Sequence, residues 1–313
     1  MTRALVITNP AAARTDARAV TAIRETLRAG GWTVEVQATA RPGDARRFAG
    51  EARDAGVDVL VSYGGDGTAM QVAAGLVGSD VALGLVPGGT GNLLAGNLRL
   101  PRNPQAAARV ILGARRQAVD LGIVDRVDEP HYFAVCSGAG FDARLMAATP
   151  GALKRRWKMG AYVLRAFAAL PHVRSARYRV TVDGTAHELP AALVLIANCG
   201  ELFPPFWRLR HNISPADGWF DVVTLAADGA LGSLAAFAEL FYGSWNGTSA
   251  PGRRLWFARG RTILVEALGI SGQPVQLDGE VCGETPFEAR LLPGALSVIV
   301  DPDRVPYQTA GRG

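Results

Sequence analysis

The sequence predicts an α/β domain followed by a mainly antiparallel, β-rich domain, and three observations carry that expectation. From Ala4 to Leu112, short β-branched runs alternate with segments whose apolar residues recur three and four apart, as in a parallel sheet with helices on its faces. Two glycine-rich loops, Gly64-Gly65-Asp66-Gly67-Thr68 and Pro87-Gly88-Gly89-Thr90-Gly91-Asn92, each leave an apolar run and enter a helical one. From about Val119 the pattern becomes one of closely spaced strand-like runs with turn residues between them. A chain of 313 residues also exceeds what one hydrophobic core usually serves.

Taken in order, Ala4 to Thr8 is a first strand that stops at Asn9-Pro10. Asp16 is placed to cap a helix whose apolar positions Ala19, Val20, Ile23 and Leu27 share one face and which ends at Gly30-Gly31. Trp32 to Ala38 reads as a second strand, Gly43-Asp44 opens a second helix, and Val57 to Val61 is a strand buried on both faces. Ala69, Met70, Val72 and Ala73 then open a helix, Val81 to Val86 is a fourth strand, and Leu93 to Leu98 and Asn103 to Leu112 are helical. The second half carries strand-like runs at Tyr132–Cys136, Tyr178–Val182, Leu193–Ala197, Phe220–Leu225, Thr262–Ala267, Val275–Leu277 and Leu296–Val300, with a hairpin signal at Asp183-Gly184. Helical stretches at Leu153–Leu170 and Leu231–Trp245 interrupt it. The expected boundaries are 1–121 for the first domain and 122–303 for the second, with a polar tail, 304–313, placed to pack back on the first.

Composition sets the class. Hydrophobic residues make up 49% and charged residues 19%, a globular balance. The net charge of +5 favours an anionic partner such as a nucleotide or an acidic lipid surface. Nucleic acid fits less well, because the basic residues are not interleaved with aromatics that would stack on bases. The three widely spaced cysteines suggest neither a disulfide framework nor a zinc site, which points to a reducing cytoplasm. No charge-free apolar run is long enough to span a bilayer, so the expectation is a cytoplasmic protein that meets membranes from the surface.

The glycine loops are where chemistry is expected. Without Cβ atoms, backbone N–H groups approach a phosphate closely, and the helix that follows adds unpaired donors and partial positive charge. A carboxylate in such a loop, Asp66, repels phosphate unless a divalent cation or a transferable proton stands between them. In the second half, Ser137-Gly138-Ala139-Gly140-Phe141-Asp142-Ala143 contains a G-x-G-x-x-A pattern and reads as a loop shaping the cleft between the domains. A dinucleotide site is disfavoured there, since the basic run Lys154, Arg155, Arg156, Lys158 stands where a ribose-binding acid would be. That basic run is a candidate for contact with an anionic bilayer. Asp217-Gly218 forms an acidic turn able to hold a hard cation or simply to face water. Asp278-Gly279-Glu280 places two carboxylates on one face if the strand before them continues.

In this order the three motifs, with Asn9-Pro10, Ala38-Thr39 and Val119-Asp120-Leu121-Gly122, resemble the diacylglycerol kinase catalytic family, bacterial lipid kinases related to sphingosine kinases. The resemblance implies a nucleotide-binding α/β domain like that of NAD kinases and phosphofructokinases, a β-sandwich second domain, and transfer of the ATP γ-phosphate to a lipid hydroxyl with Mg²⁺. It implies nucleotide contacts at Asn9, Thr39, Gly64, Gly65, Asp66, Gly67, Thr68, Ala69, Met70, Gly89 and Thr90. It implies a Mg²⁺ site at Ser214 and Trp219, through backbone oxygens, and at Asp217, through its carboxylate. Glu280 matches the active-site position, with Asp278 as a second candidate base and Asp66 as a third catalytic carboxylate. The partner implied is a lipid at a membrane surface, diacylglycerol or a relative, and a homodimer is compatible with the pattern. One departure is Leu93, where many bacterial members carry an aspartate.

Two rival readings share parts of this pattern. An NAD kinase keeps the first loop but needs an Asn-Glu pair after it, where this chain has Met70-Gln71. A non-catalytic lipid or nucleotide binder keeps the loops but has no use for Asp278 and Glu280.

Overall fold

The computed structural model describes residues 1–126, 129–140, 170–203, 207–209, 213–246, 254–301 and 303–304. The expected helix at Leu153–Leu170 with its basic run, and the tail beyond Arg304, lie outside these residues, apart from a short 3₁₀ turn at Leu170–His172. Internal contacts divide the chain into two units. Among the described residues the first holds Met1–Leu121, Phe203 and the segments 293–301 and 303–304, and the second holds the described parts of Gly122–Leu202 and Trp207–Leu292.

In the first unit, strands and helices alternate as β1 (Arg3–Thr8), α1 (Ala17–Ala29), β2 (Thr33–Ala38), α2 (Asp44–Asp54), β3 (Val59–Gly64), α3 (Asp66–Leu76), β4 (Ala82–Pro87), α4 (Leu93–Asn97) and α5 (Pro104–Leu112). The α1 start is set by Asp16, whose carboxylate accepts the Ala19 N–H at 2.6 Å, and the α5 start by Asn103, which accepts from Ala106, with Pro104 at the first helical position. β1, β2, β3 and β4 pair in parallel in the order β2-β1-β3-β4. Alternate residues of the strands face opposite sides. Val6, Val59, Val61 and Tyr63 pack with Ile23 and Leu27 of α1 and Ile111 of α5, all buried. Across the sheet α2 and α3 lie against each other so closely that a Cβ on Gly75 would sit 2.6 Å from that of Ala49.

The second unit begins with the end of β5 (Arg116–Asp125), which pairs antiparallel with β6 (Pro130–Phe133). β7 (Cys136–Gly140), β8 (Ala176–Val182), β9 (Thr185–Ala191) and β10 (Leu193–Ala197) follow, with a small pair β11 (Glu201–Phe203) and β12 (Trp207–Arg208). Then come β13 (Phe220–Leu225), α6 (Gly229–Asn246), β14 (Leu255–Gly260), β15 (Thr262–Leu268), β16 (Pro274–Leu277), β17 (Glu280–Glu284) and β18 (Phe287–Ile299). One antiparallel sheet runs β14-β13-β10-β7-β16-β17, and β18-β15-β8-β9 forms the facing layer. Val194, Ile196, Phe220, Val222 and Leu277 of the first layer meet Val180, Ile263, Val265 and Phe287 of the second in one buried core, with the Phe133 and Phe220 rings stacked at 5.4 Å. The expected hairpin at Asp183-Gly184 is present, both residues at positive φ, as a two-residue turn between β8 and β9 demands.

Two expectations are corrected. Ser137 to Gly140 is no loop but the middle strand β7, paired with β10 and β16. Its glycines answer close strand approach, since a Cβ on Gly138 would lie 2.7 Å from the Val194 carbonyl oxygen. The run Leu296–Val300, assigned from sequence to the second domain, lies in the first unit, where Ser297 and Val298 pair in parallel with Ala82 and Leu83 of β4. The chain therefore returns at Pro293, inside β18, and not at residue 304.

Candidate active site

β3 and β4 are neighbours in register, so their carboxyl ends, Gly64 and Pro87, lie side by side and deliver both glycine loops to one place. The loops are locked backbone to backbone. The Gly88 N–H donates to the Gly64 carbonyl at 2.7 Å, and a Cβ on Gly89 would stand 2.5 Å from the Cα of Gly65. Only glycine allows that approach. Asn92, held in the left-handed region at φ 52°, closes the second loop by accepting the Gly89 N–H and donating to the Gly89 carbonyl. An open pocket of about 20 Å³ beside the loops is lined by Ser62, Asp66 and Asn92 among others, roughly the space of one water.

Asp66 is the first residue of α3, and its carboxylate reaches across to the start of α4. It accepts the Asn92 N–H at 2.8 Å and the Leu93 N–H at 2.5 Å. Burial raises its carboxyl above the ordinary value, opposed by the Leu93 and Asn92 N–H groups. This carboxylate staples the two loops. At the start of α3 the Ala69 N–H donates to the Gly65 carbonyl at 3.0 Å, while the Gly67 and Thr68 N–H groups have no acceptor within the helix.

Asn9 joins the same place from the end of β1. Its amide donates to the Thr68 hydroxyl at 3.0 Å, and its backbone N–H donates to the Tyr63 carbonyl. Thr39 follows β2 and donates its N–H to the Thr8 carbonyl, which sets it at the carboxyl edge of the same sheet. Ala69 and Met70 continue the first turn of α3, and Thr90 stands half-exposed in the second loop. Sequence reasoning missed the loop around Arg14 and Thr15. The Arg14 N–H donates to the Gly88 carbonyl at 2.9 Å, its carbonyl accepts the buried Tyr63 hydroxyl, and a Cβ on Gly88 would meet the Thr15 methyl at 2.8 Å. The small residues Ala11 to Ala13 after Asn9-Pro10 were the available signal.

In the second unit, Asp278 and Glu280 are brought to one turn and given different environments. Asp278 at φ 47° and Gly279 at φ 89° form the tight turn from β16 to β17, so the strand does not continue through them as the alternation argument required. The Asp278 carboxylate accepts three backbone N–H groups, from Ala134 at 2.7 Å and from Val135 and Cys136 at 2.9 Å each. The turn is fastened further by the Gly279 N–H donating to the Gln276 side chain. Glu280 opens β17 opposite Leu277 with its side chain exposed. One carboxylate anchors the corner, and the other is presented on it.

Ser214, Asp217 and Trp219 share a turn before β13, in which the Asp217 carboxylate accepts the Trp219 N–H at 3.1 Å. Its other oxygen is ion-paired with the Arg259 guanidinium, which also reaches the buried Asp221 at 3.3 Å. Arg261 lies over the Trp219 ring at 4.5 Å and donates to the Gly218 carbonyl. As arranged, these residues do not fit a divalent cation, because a guanidinium holds the place of the positive charge. Among the described residues no group of three or more His, Cys, Asp or Glu side chains is placed to hold a metal ion.

Residues 3–124 match the diacylglycerol kinase catalytic domain family, and residues 135–300 match the YegS C-terminal NAD kinase beta sandwich-like domain. The chain is 30% identical over 262 residues to a diacylglycerol kinase of Mycobacterium tuberculosis (strain CDC 1551 / Oshkosh), covering 82% of this chain and 81% of that protein. It is 29% identical over 293 residues to a diacylglycerol kinase of Bacillus subtilis (strain 168), covering 92% and 93%. The fold matches a crystal structure of a diacylglycerol kinase from Bacillus anthracis strain Sterne with a TM-score of 0.74, 22% identity and coverage of 96% and 97%. With both halves of the chain matched by these domain families and a relative at 30% identity covered over 82% of this chain, the chain belongs to the diacylglycerol kinase catalytic family of lipid kinases.

Proposed function

We propose that the chain transfers the γ-phosphate of ATP, taken up as its Mg²⁺ complex, to the hydroxyl of diacylglycerol or a closely related lipid at a membrane surface. The observation that carries this reading is the locked pair of glycine loops at adjacent strand ends, with the first turn of α3 supplying backbone donors for a phosphate chain. Gly64 to Met70, Gly89 and Thr90 receive the phosphates, and Asn9 and Thr39 border them from β1 and β2. Mg²⁺ brought in with the triphosphate would neutralise charge on the transferred group. Asp66 holds the loops in register.

In the transfer step the lipid oxygen bonds to the γ-phosphorus as the bond from that phosphorus to the β–γ bridging oxygen breaks, and ADP leaves. The hydroxyl proton passes to Glu280. Asp278 positions the turn that presents Glu280, its oxygens being engaged by backbone donors. The cation associated with the Asp217 turn is Arg259 in this reading, and no step runs through it.

The test is transfer of radiolabelled phosphate from ATP to a panel of diacylglycerol, a sphingoid base, phosphatidylglycerol and NAD. Label in phosphorylated diacylglycerol is expected. Label in NAD instead would replace the reading with a small-molecule kinase, and label in none of the four would leave a binder.

A further inference from the structure

On α6 of the second unit the exposed face is apolar. Leu231 is 84% exposed and Leu234 49%, one helical turn apart, and the exposed Ala235 and Ala238 continue the same stripe. Ser233, Ala236 and Leu240 are the buried side chains of the opposite face. A water-facing helix ordinarily carries charge on its outer side. Between Gly229 and Leu240 the one ionisable side chain is Glu239, half-buried at the edge of that stripe one turn after Ala235.

Cations stand at the edge. A Cβ on Gly229 would lie 3.7 Å from Nη1 of Arg174, and one on Gly232 would lie 3.7 Å from Nη1 of Arg254. Arg174 is fixed there by donating to the carbonyls of Pro171 and Val173. Asp228, just before the helix, is turned to the Ser175 N–H. An apolar stripe with guanidinium groups beside it matches an interface in which acyl chains meet anionic headgroups.

We propose that the Leu231–Leu234–Ala235–Ala238 face of α6 lies in the surface of an anionic bilayer and holds the enzyme where its lipid acceptor is found. The proposal rests on the lipid-acceptor reading above and adds the surface that reaches the lipid. α6 lies in the plane of the interface and does not cross it, since no described helix is long and apolar enough to span a membrane.

The experiment is co-sedimentation of the full chain, without ATP, with phosphatidylcholine vesicles containing or lacking phosphatidylglycerol. Leu231→Asp/Leu234→Asp should lower the partition coefficient by about tenfold or more, since each leucine loses its transfer from water and gains a repelled charge. Arg254→Gln should weaken binding to the anionic vesicles by a few-fold and leave binding to the neutral ones unchanged. Both sites are at the surface, so the thermal midpoint and the activity on a water-soluble short-chain diacylglycerol should be unchanged. Wild-type sedimentation of the double aspartate variant would overturn the proposal. So would conversion of a dimer to a monomer by light scattering with vesicle binding retained, which would make the face a contact between copies. Because binding is read without ATP, vesicle binding through α6 with no phosphoryl transfer would overturn the lipid-kinase reading and leave this one standing.

Discussion

The two candidate-site regions use the same device for different ends. Asp66 in the first unit and Asp278 in the second each spend a carboxylate on backbone N–H groups of a neighbouring segment, Asn92 and Leu93 in one case and Ala134 to Cys136 in the other. In the first unit the result is two glycine loops joined at adjacent strand ends. In the second it is a tight corner that carries the exposed Glu280. An acidic residue in a motif can thus be the frame for a reactive group and not the group itself.

The sharpest way to break this division is at the exposed acid. Glu280→Gln should lower kcat by about 10² to 10⁴ with ATP affinity nearly intact, the usual worth of a general base. Titration calorimetry with ATP beside steady-state kinetics checks both halves, and a normal kcat would move the base elsewhere.

The loop junction comes next. Gly89→Ala places a methyl 2.5 Å from the Gly65 Cα, and the obstacle is backbone, which cannot rotate away. Overpacking of about 1–3 kcal/mol should weaken ATP binding by about tenfold while the second unit's fold is untouched. Gly65→Val is the milder companion, its Cβ meeting Gly89 Cα at 3.4 Å. Equal ATP affinity in both variants and wild type would remove the loops from the binding site.

Asp278→Asn tests the anchor. An amide brings N–H groups toward three N–H donors, so the variant should lose about 1–3 kcal/mol in urea denaturation. Its kcat should fall through displacement of the Glu280 turn, with an acidic limb still present in the pH dependence of kcat. Loss of the acidic limb in Asp278→Asn together with its retention in Glu280→Gln would mean that Asp278 itself exchanges the proton.

The smallest effect is the pH dependence carried by Asp66. Its carboxyl is raised above the ordinary value of 3.8 chiefly by burial, with the Leu93 and Asn92 N–H groups pulling the other way. The folded chain then holds this proton more tightly than the unfolded chain. The resulting stabilisation is complete below the unfolded value and is lost as pH rises through the raised folded value. The stability of wild type relative to Asp66→Asn should therefore decline with rising pH across that acidic window. A difference that stays constant in a urea series would show that burial does not hold the proton.

Much of this was legible in the chain. The strand-helix alternation fixes a parallel sheet because buried β-branched runs and amphipathic helices have different periods, and both are local. The glycine loops could be read because a phosphate site made of backbone requires glycine at fixed places beside a helix start. The identity of Asp278 and Glu280 as a pair was visible as well. Their division of labour was not, because it depends on Ala134, Val135 and Cys136, more than 140 positions away in sequence.

Sequence by itself determined the strand-helix alternation of the first domain, the two-domain plan and the motifs that place the chain among lipid kinases, since each rests on local spacing and residue chemistry. Tertiary structure alone decided that the end of β18 joins β4, because an apolar alternation looks the same in either sheet. It alone turned Ser137–Gly140 from a loop into a central strand, where flanking strands approach too closely for side chains. It alone set Arg259 against Asp217 and left Leu231 and Leu234 uncovered. Each of these depends on which surfaces meet in space, and residue spacing along the chain does not encode that.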